Sequence, residues 1–165
     1  MENSNKILVY GYGNPGRADD GLGIAFAEAI ESWVVKNNIE NVSCESNYQL
    51  NIEDSEIISQ YDIVLFADAS LEEISSVSLT KVLPSDSRVE FSMHAVSSAF
   101  VLDLCNQLYN VTPQTWMIHI KGFDWDFREG FSTDAKINLE KALNLMKPLI
   151  QNPKLLLEIT EKELN

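Results

Sequence analysis

Short apolar runs alternate with longer stretches of helical periodicity along this chain, and that alternation sets the reading of its fold. Residues 6–12 (KILVYGY) form an apolar run that ends in glycines, which predicts a buried strand. Residues 20–36 carry a broad apolar stripe through Ile24, Ala27, Ala29, Ile30, Trp33 and Val34, the pattern of a helix lying on a core. A second strand is expected over 41–46, and a short helix over 51–60 with Ile57 and Ile58 turned inward. Ile63 to Ala67 are all apolar and are bracketed by Asp62 and Asp68, as in a strand covered on both faces of a parallel sheet. Residues 76–82 alternate and suggest an edge strand, residues 94–109 a well-buried helix, and residues 115–121 another alternating strand. Ser132 is a good N-cap for a helix over 133–151. The segment 154–164, after Pro153, reads as a short exposed helix.

Strands and helices in this order predict an α/β protein, a three-layer αβα sandwich with a mainly parallel sheet. The chain shows no internal repeat, linker or low-complexity stretch, so one domain is expected over residues 1–165, with a short C-terminal helical extension over about 153–165.

Charge narrows the range of partners. The net charge is −13, and 45% of the residues are hydrophobic, enough for a sizeable core. A nucleic-acid partner is not expected, because phosphate binding needs a basic face, and an anionic membrane surface is disfavoured for the same reason. Cys44 and Cys105 are far apart and build no metal or redox motif; both read as reduced, buried core residues. The apolar run from Ile7 to Tyr10 is too short for a signal peptide, and no stretch has the length of a membrane span, so a cytoplasmic protein is expected.

Candidate chemistry falls at the carboxyl ends of the expected strands, where open α/β sheets form their sites. After the first strand comes Gly11-Tyr12-Gly13-Asn14-Pro15-Gly16-Arg17-Ala18-Asp19-Asp20-Gly21-Leu22-Gly23. Gly11, Gly13 and Gly16 match the spacing of a dinucleotide-binding loop, in which a pyrophosphate rests on a helix N-terminus. Asp19 and Asp20 stand at that terminus and would repel a phosphate, and Pro15 removes a backbone donor. Asp19 suits a cap on the helix, which leaves Asp20 to face the crevice.

Asp68 ends the most apolar strand. It reads either as a turn or capping aspartate or as a site carboxylate, because an ionised carboxyl there is costly unless it is paired, hydrated or bound to a cation. His94, in Ser92-Met93-His94, reads alone as a helix-start residue. With Asp20 and Asp68 it completes an Asp, Asp, His set from three separate loops, donors that suit a borderline divalent metal such as nickel or zinc with positions left open. His119 lies within an alternating strand, opposite the face of Trp116, Ile118 and Ile120, and reads as structural. Trp125 and Phe127 lie in a loop near a strand end, as local packing or as a wall that recognises a partner.

Taken together these motifs resemble the hydrogenase maturation protease family. Gly11 to Asn14 with Asp19-Asp20-Gly21 and Gly23 is similar to its N-terminal signature. Phe66-Ala67-Asp68-Ala69 is similar to its second motif and Ser92-Met93-His94 to its third. Gly122 through Ser132, including Glu129-Gly130-Phe131-Ser132, is similar to the segment before the last helix in some branches, and the likeness spans roughly residues 6–148.

The resemblance implies a twisted sheet between helix layers and a metal held by Asp20, Asp68 and His94. It implies an endopeptidase whose partner is the precursor of a nickel-containing hydrogenase large subunit, from which it removes a C-terminal tail. Nickel would then be supplied by the substrate, with cadmium or zinc able to take its place. No Ser-His-Asp or Cys-His pair stands out, so metal-assisted hydrolysis is expected, with one of Asp20 and Asp68 open to a role as base. Two other readings stand beside it: a nickel-sensing or chaperone module that binds the precursor without cutting it, and a dinucleotide-binding domain.

Overall fold

The computed structural model describes residues 4–86 and 96–159, and residues 161–164 through their backbone. Its centre is a six-stranded sheet in the order β2-β1-β3-β5-β4-β6. The strands are β1 (Ile7–Tyr12), β2 (Val42–Asn47), β3 (Ile63–Ser70), β4 (Val77–Val82), β5 (Gln114–Lys121) and β6 (Glu161–Leu164). β2, β1, β3 and β5 run parallel, β4 is antiparallel to β5, and β6 is antiparallel to β4. The helices are α1 (Leu22–Lys36), α2 (Asp54–Ile58), α3 (Ser98–Tyr109), α4 (Thr133–Gln151) and α5 (Pro153–Leu157).

Alternation along each strand sends side chains into two cores. Ile7, Val9, Ile63, Leu65, Trp116, Ile118 and Ile120 meet Phe26, Ile30 and Val34 of α1 and Ala142 and Met146 of α4. On the opposite face Leu8, Tyr10, Val64, Phe66 and Met117 meet Ile58 of α2 and Val101, Leu102 and Cys105 of α3. Both faces of β1 and β3 are therefore covered, which explains why their sequences are apolar without alternation. This is the three-layer αβα arrangement expected from the sequence, and within it Trp116, Ile118 and Ile120 share one face, as their spacing requires.

Several boundaries differ from the sequence reading, each for a tertiary reason. The first helix begins at Leu22, not at residue 20, because Pro15–Gly21 forms a 3₁₀ segment interrupted at Arg17 and Ala18. There the amides of Ala18 and Asp19 donate to the carbonyls of Arg128 and Asp124, at 2.8 and 2.9 Å, and not to a helical turn. The buried line of α1 is Leu22, Phe26, Ala27, Ile30 and Val34, with Ile24, Ala29 and Trp33 on its flanks.

β3 runs on past the apolar stretch to Ser70, so Asp68 lies within the strand, paired with His119 of β5. β4 is not an edge strand. The expected helix over 154–164 gives instead the single turn α5 and the strand β6, which pairs with β4 from Val77 to Thr80. An uncovered strand edge offers a row of unpaired amides and carbonyls, and closing it outweighs the helical preference of Glu161 to Leu164. α3 starts at Ser98, where the Ser97 hydroxyl accepts from the Phe100 amide at 3.0 Å. The expected start of that helix, at His94 and Ala95, lies outside the described residues.

Cys105 is buried and Cys44 only half-buried; both are free thiols. Burial pushes the Cys44 thiol up to about 12, with Glu31 and Glu45 adding to the effect, and it raises Cys105 as well, so neither is a ready nucleophile. Among the described residues no helix is long and apolar enough to cross a membrane.

Candidate functional site

Close backbone packing at the carboxyl ends of β1 and β3 creates the site. A Cβ on Gly11 would lie 1.9 Å from the carbonyl oxygen of Gly23, and a Cβ on Gly23 would lie 2.4 Å from the carbonyl oxygens of Ala67 and Tyr12. Glycine at these two positions lets the start of α1 sit directly on the ends of two strands. The loop before α1 is thereby pressed against β3, and Asp20 comes within electrostatic reach of Asp68.

The two neighbouring aspartates of that loop have different tasks. Asp19 is fully buried and does not cap α1, whose N-cap is Gly21 with no side-chain bond. Its carboxylate accepts from the amides of Phe123, Asp124 and Ser132 at 2.8, 3.0 and 2.8 Å, and from the Ser132 hydroxyl at 2.7 Å. Burial alone would raise its pKa, but bonds from Ser132, Phe123 and Asp124 outweigh burial and hold it below the ordinary carboxylate range. Asp19 thus latches the 122–132 loop and the start of α4 onto the glycine loop. The sequence reading of Asp19 as a cap of α1 is corrected here; its partners lie more than a hundred residues away, and no local pattern announces them. Asp20 closes its own loop, accepting from the Asn14 amide at 2.8 Å.

Asp68 is poorly compensated. Burial, then the negative charge of Asp20, push its carboxyl from 3.8 up to about 7, against the opposing bonds from the Ala69 amide and the Tyr12 hydroxyl. Burial and the charge of Asp68 in turn raise the Tyr12 phenol well above its ordinary value, so it stays a neutral donor. Among the described residues no lysine or arginine forms a salt bridge with Asp20 or Asp68; Arg128 is taken by Asp124. Among the described residues no cationic side chain pairs with this acidic corner.

His119 stands beside this corner. It is half-buried on the face shared by Met117 and Lys121, and its Nε2 lies 2.9 Å from the Thr80 hydroxyl of β4. Burial lowers its pKa, partly offset by the charge of Glu72. His94, the third residue of the Asp, Asp, His set, lies outside the described residues. Among those described, no group of three or more His, Cys, Asp or Glu side chains converges as a metal cage.

The 122–132 loop flanks the glycine loop. Arg17 donates to the Trp125 carbonyl at 3.3 Å and lies 5.1 Å from the ring centre of Phe127, which is 86% exposed. The expected aromatic wall therefore splits: Trp125 is half-buried and Phe127 projects into solvent. For a dinucleotide the loop is poorly furnished, since the Asn14 amide that would face a phosphate is already taken by the Asp20 carboxylate.

An open, mainly parallel sheet with an acidic corner at the carboxyl ends of its strands defines a doubly wound α/β protein with a crevice site. No family model matches the chain, and no curated protein matches it. Among solved structures its fold is that of the hydrogenase maturation proteases. The NiFe hydrogenase maturation protease HycI from Thermococcus kodakarensis KOD1 superposes with a TM-score of 0.72 at 20% identity, over 92% of this chain and 96% of that one. The hydrogenase maturating endopeptidase HybD from E. coli gives 0.74 at 17% identity, over 96% and 97% of the two chains. The endopeptidase HycI from Escherichia coli gives 0.61 at 18% identity, over 87% and 90%.

Proposed function

We propose that this protein is an endopeptidase that removes the C-terminal tail from the precursor of a nickel-containing hydrogenase large subunit. The observation that carries the reading is the Asp20–Asp68 pair: two carboxylates within electrostatic reach of each other, with no salt-bridge partner among the described residues, in the fold of the maturation endopeptidases. The donors fit a divalent metal, because a cation between them would offset the charge of Asp20, which adds to burial in pushing Asp68 up to about 7.

Asp20, Asp68 and His94 are the residues that would hold the nickel, which the precursor brings as part of the substrate; cadmium or zinc would fit the same donors. When bound, the metal supplies a Lewis acid that polarises the scissile carbonyl or lowers the pKa of a water. The chain's own part is to bind and to move a proton. One of Asp20 and Asp68 would serve as base in place of holding the metal, taking a proton from the attacking water and returning it to the departing amine. Tyr12 holds the Asp68 carboxylate from one side as a donor. The 122–132 loop, latched by Asp19, forms a wall beside the crevice against which the precursor docks.

The test is incubation with nickel-loaded precursor and mass measurement of the product. The expected result is loss of the tail with the wild type, and an intact precursor with Asp20→Asn, Asp68→Asn and His94→Ala. Casein, the free tail peptide and metal-free precursor should survive. A wild-type protein that binds the loaded precursor and leaves its tail in place would overturn the reading in favour of a sensing or chaperone role.

A further inference from the structure

The two ends of the sheet differ. One finishes on β6, only four residues long. The other finishes on β2, six residues long, which pairs with β1 alone. The Asn41 and Asn47 carbonyls accept from the Ile7 and Gly13 amides at 2.9 and 3.2 Å, so the odd-numbered residues of β2 turn their backbone groups toward β1. Strand alternation then turns the amides and carbonyls of Val42, Cys44 and Ser46 outward, where no described residue pairs with them. A row of this kind is a template for one more strand.

That edge is flanked by unneutralised acid. Side-chain direction alternates in step with backbone direction, so Val42, Cys44 and Ser46 share the face of α1, and Val42 and Cys44 pack on its core. Glu28 and Glu31 of α1 line a groove of about 140 Å³ with Cys44 and Ser46. Glu45, in register with Tyr10, belongs to the opposite face of the strand. All three glutamates are exposed, and among the described residues none has a salt-bridge partner. The groove continues past Glu28 and Ser46 into a cleft of about 330 Å³ that reaches Asn47 and Pro15, next to the Asn14 amide held by Asp20. The open edge therefore leads away from the loop that carries Asp20.

We propose that the outer edge of β2 takes the C-terminal tail of the precursor as an added antiparallel strand, and that this tail carries lysine or arginine at alternate positions. The inference rests on the reading of the protein as a tail-removing endopeptidase. The tail begins at the scissile bond in the crevice, and β2 has its carboxyl end there, so a tail that follows β2 outward runs antiparallel to it. Residues of the added strand that bond to Val42, Cys44 and Ser46 turn their side chains to the face of α1, where Glu28 and Glu31 select cations. A second copy of this chain on the same edge is disfavoured, because it would set Glu28, Glu31 and Glu45 against their own counterparts.

Titration of ¹⁵N-labelled protein with a synthetic peptide of alternating lysine and threonine tests this without metal or precursor. Hydrogen exchange at the Val42, Cys44 and Ser46 amides should slow on saturation, with the Ser43, Glu45 and Asn47 amides, already turned to β1, as references. Glu28→Gln, Glu31→Gln and Glu45→Gln combined should weaken binding about 5–10-fold, the sum of three exposed ion pairs. The same peptide N-methylated at its lysines lacks the donors that face β2 and should lose binding with the protein unchanged. Equal binding of the N-methylated peptide, or of a peptide of alternating glutamate and threonine, overturns the proposal. So does a lysine peptide that leaves these amides unprotected at millimolar concentration. Because no cleavage is measured, the two readings fail separately: a precursor cut normally by a protein whose β2 edge ignores the peptide strikes the edge alone.

Discussion

Replacing Asp68 by asparagine should make the protein more stable while abolishing its proposed activity. The folded-state pKa of about 7 lies above the ordinary 3.8, so between these values the native protein holds a proton that the unfolded chain has released. With more protons bound in the native state, stability falls as pH rises through this window and levels off above about 7. The full displacement, a little over three pKa units at about 1.36 kcal/mol each, corresponds to about 4 kcal/mol. Asp68 is only half-buried, so solvent screening and relaxation reduce this to about 2 kcal/mol.

Asparagine keeps the shape and can still accept from the Ala69 amide and the Tyr12 hydroxyl, but carries no charge to oppose Asp20. At about pH 8 its thermal midpoint should exceed that of the wild type by roughly 4–8 °C. The difference should shrink toward zero near pH 4, where the wild-type carboxyl is protonated in the folded state. Circular dichroism melts at several pH values read this directly. An asparagine variant that melts no higher than the wild type at pH 8, or an offset independent of pH, would refute the reasoning.

Three other outcomes follow from the same geometry. Asp19→Ala leaves three backbone amides and a hydroxyl without their acceptor, and should cost about 3–5 kcal/mol by urea unfolding. Because the Asp19 pKa is held below the ordinary value, its contribution is present at neutral pH and is lost as pH falls through the acid range; a wild-type protein that keeps the latch at pH 2 by hydrogen exchange would count against this. Gly23→Ala places a methyl 2.4 Å from two carbonyl oxygens and should cost about 3 kcal/mol or more, seen as a lowered urea midpoint or insoluble protein. NAD and FAD should show no saturable binding at micromolar concentration by fluorescence titration, since Asp20 already occupies the Asn14 amide.

What the sequence reveals and what it hides divide along a physical line. β1 and β3 are legible because strands covered on both faces must be apolar throughout, and Ile7 to Tyr10 and Ile63 to Ala67 are. α4 is legible because Ser132 caps it locally, its hydroxyl 3.3 Å from the Ala135 amide. β6 is hidden because Glu161, Lys162 and Glu163 have no strand preference of their own; pairing with β4 decides their state. Asp20 and Asp68 stand out as carboxylates beside glycines and at the end of an apolar run, so they can be found in sequence. Their mutual charge cannot, since it depends on Gly23 packing against Ala67 and Tyr12. The pairing of His119 with Asp68 is hidden for a similar reason, because strand order is a property of the whole sheet.

The corner where β1, β3 and the start of α1 meet holds three carboxylates, and the distribution of donors sorts them. Asp19 accepts four bonds, three of them from backbone amides that cannot move away. Fully satisfied and charged, it has no use for a cation, and removing it undoes structure. Asp20 accepts one amide, and Asp68 accepts one amide and a phenol while facing the charge of Asp20. A half-buried carboxylate short of donors has two ways to lower its energy: to keep its proton, as the raised pKa of Asp68 favours, or to meet a positive charge. A divalent ion arriving with a docked partner would offset the charge of Asp20 and would have to displace the Asp68 proton, so its binding should tighten as pH rises toward about 7. Only the share of the Asp68 shift that comes from the charge of Asp20 is relieved by a cation, so the melting curve reads burial and repulsion together while the titration reads the repulsion.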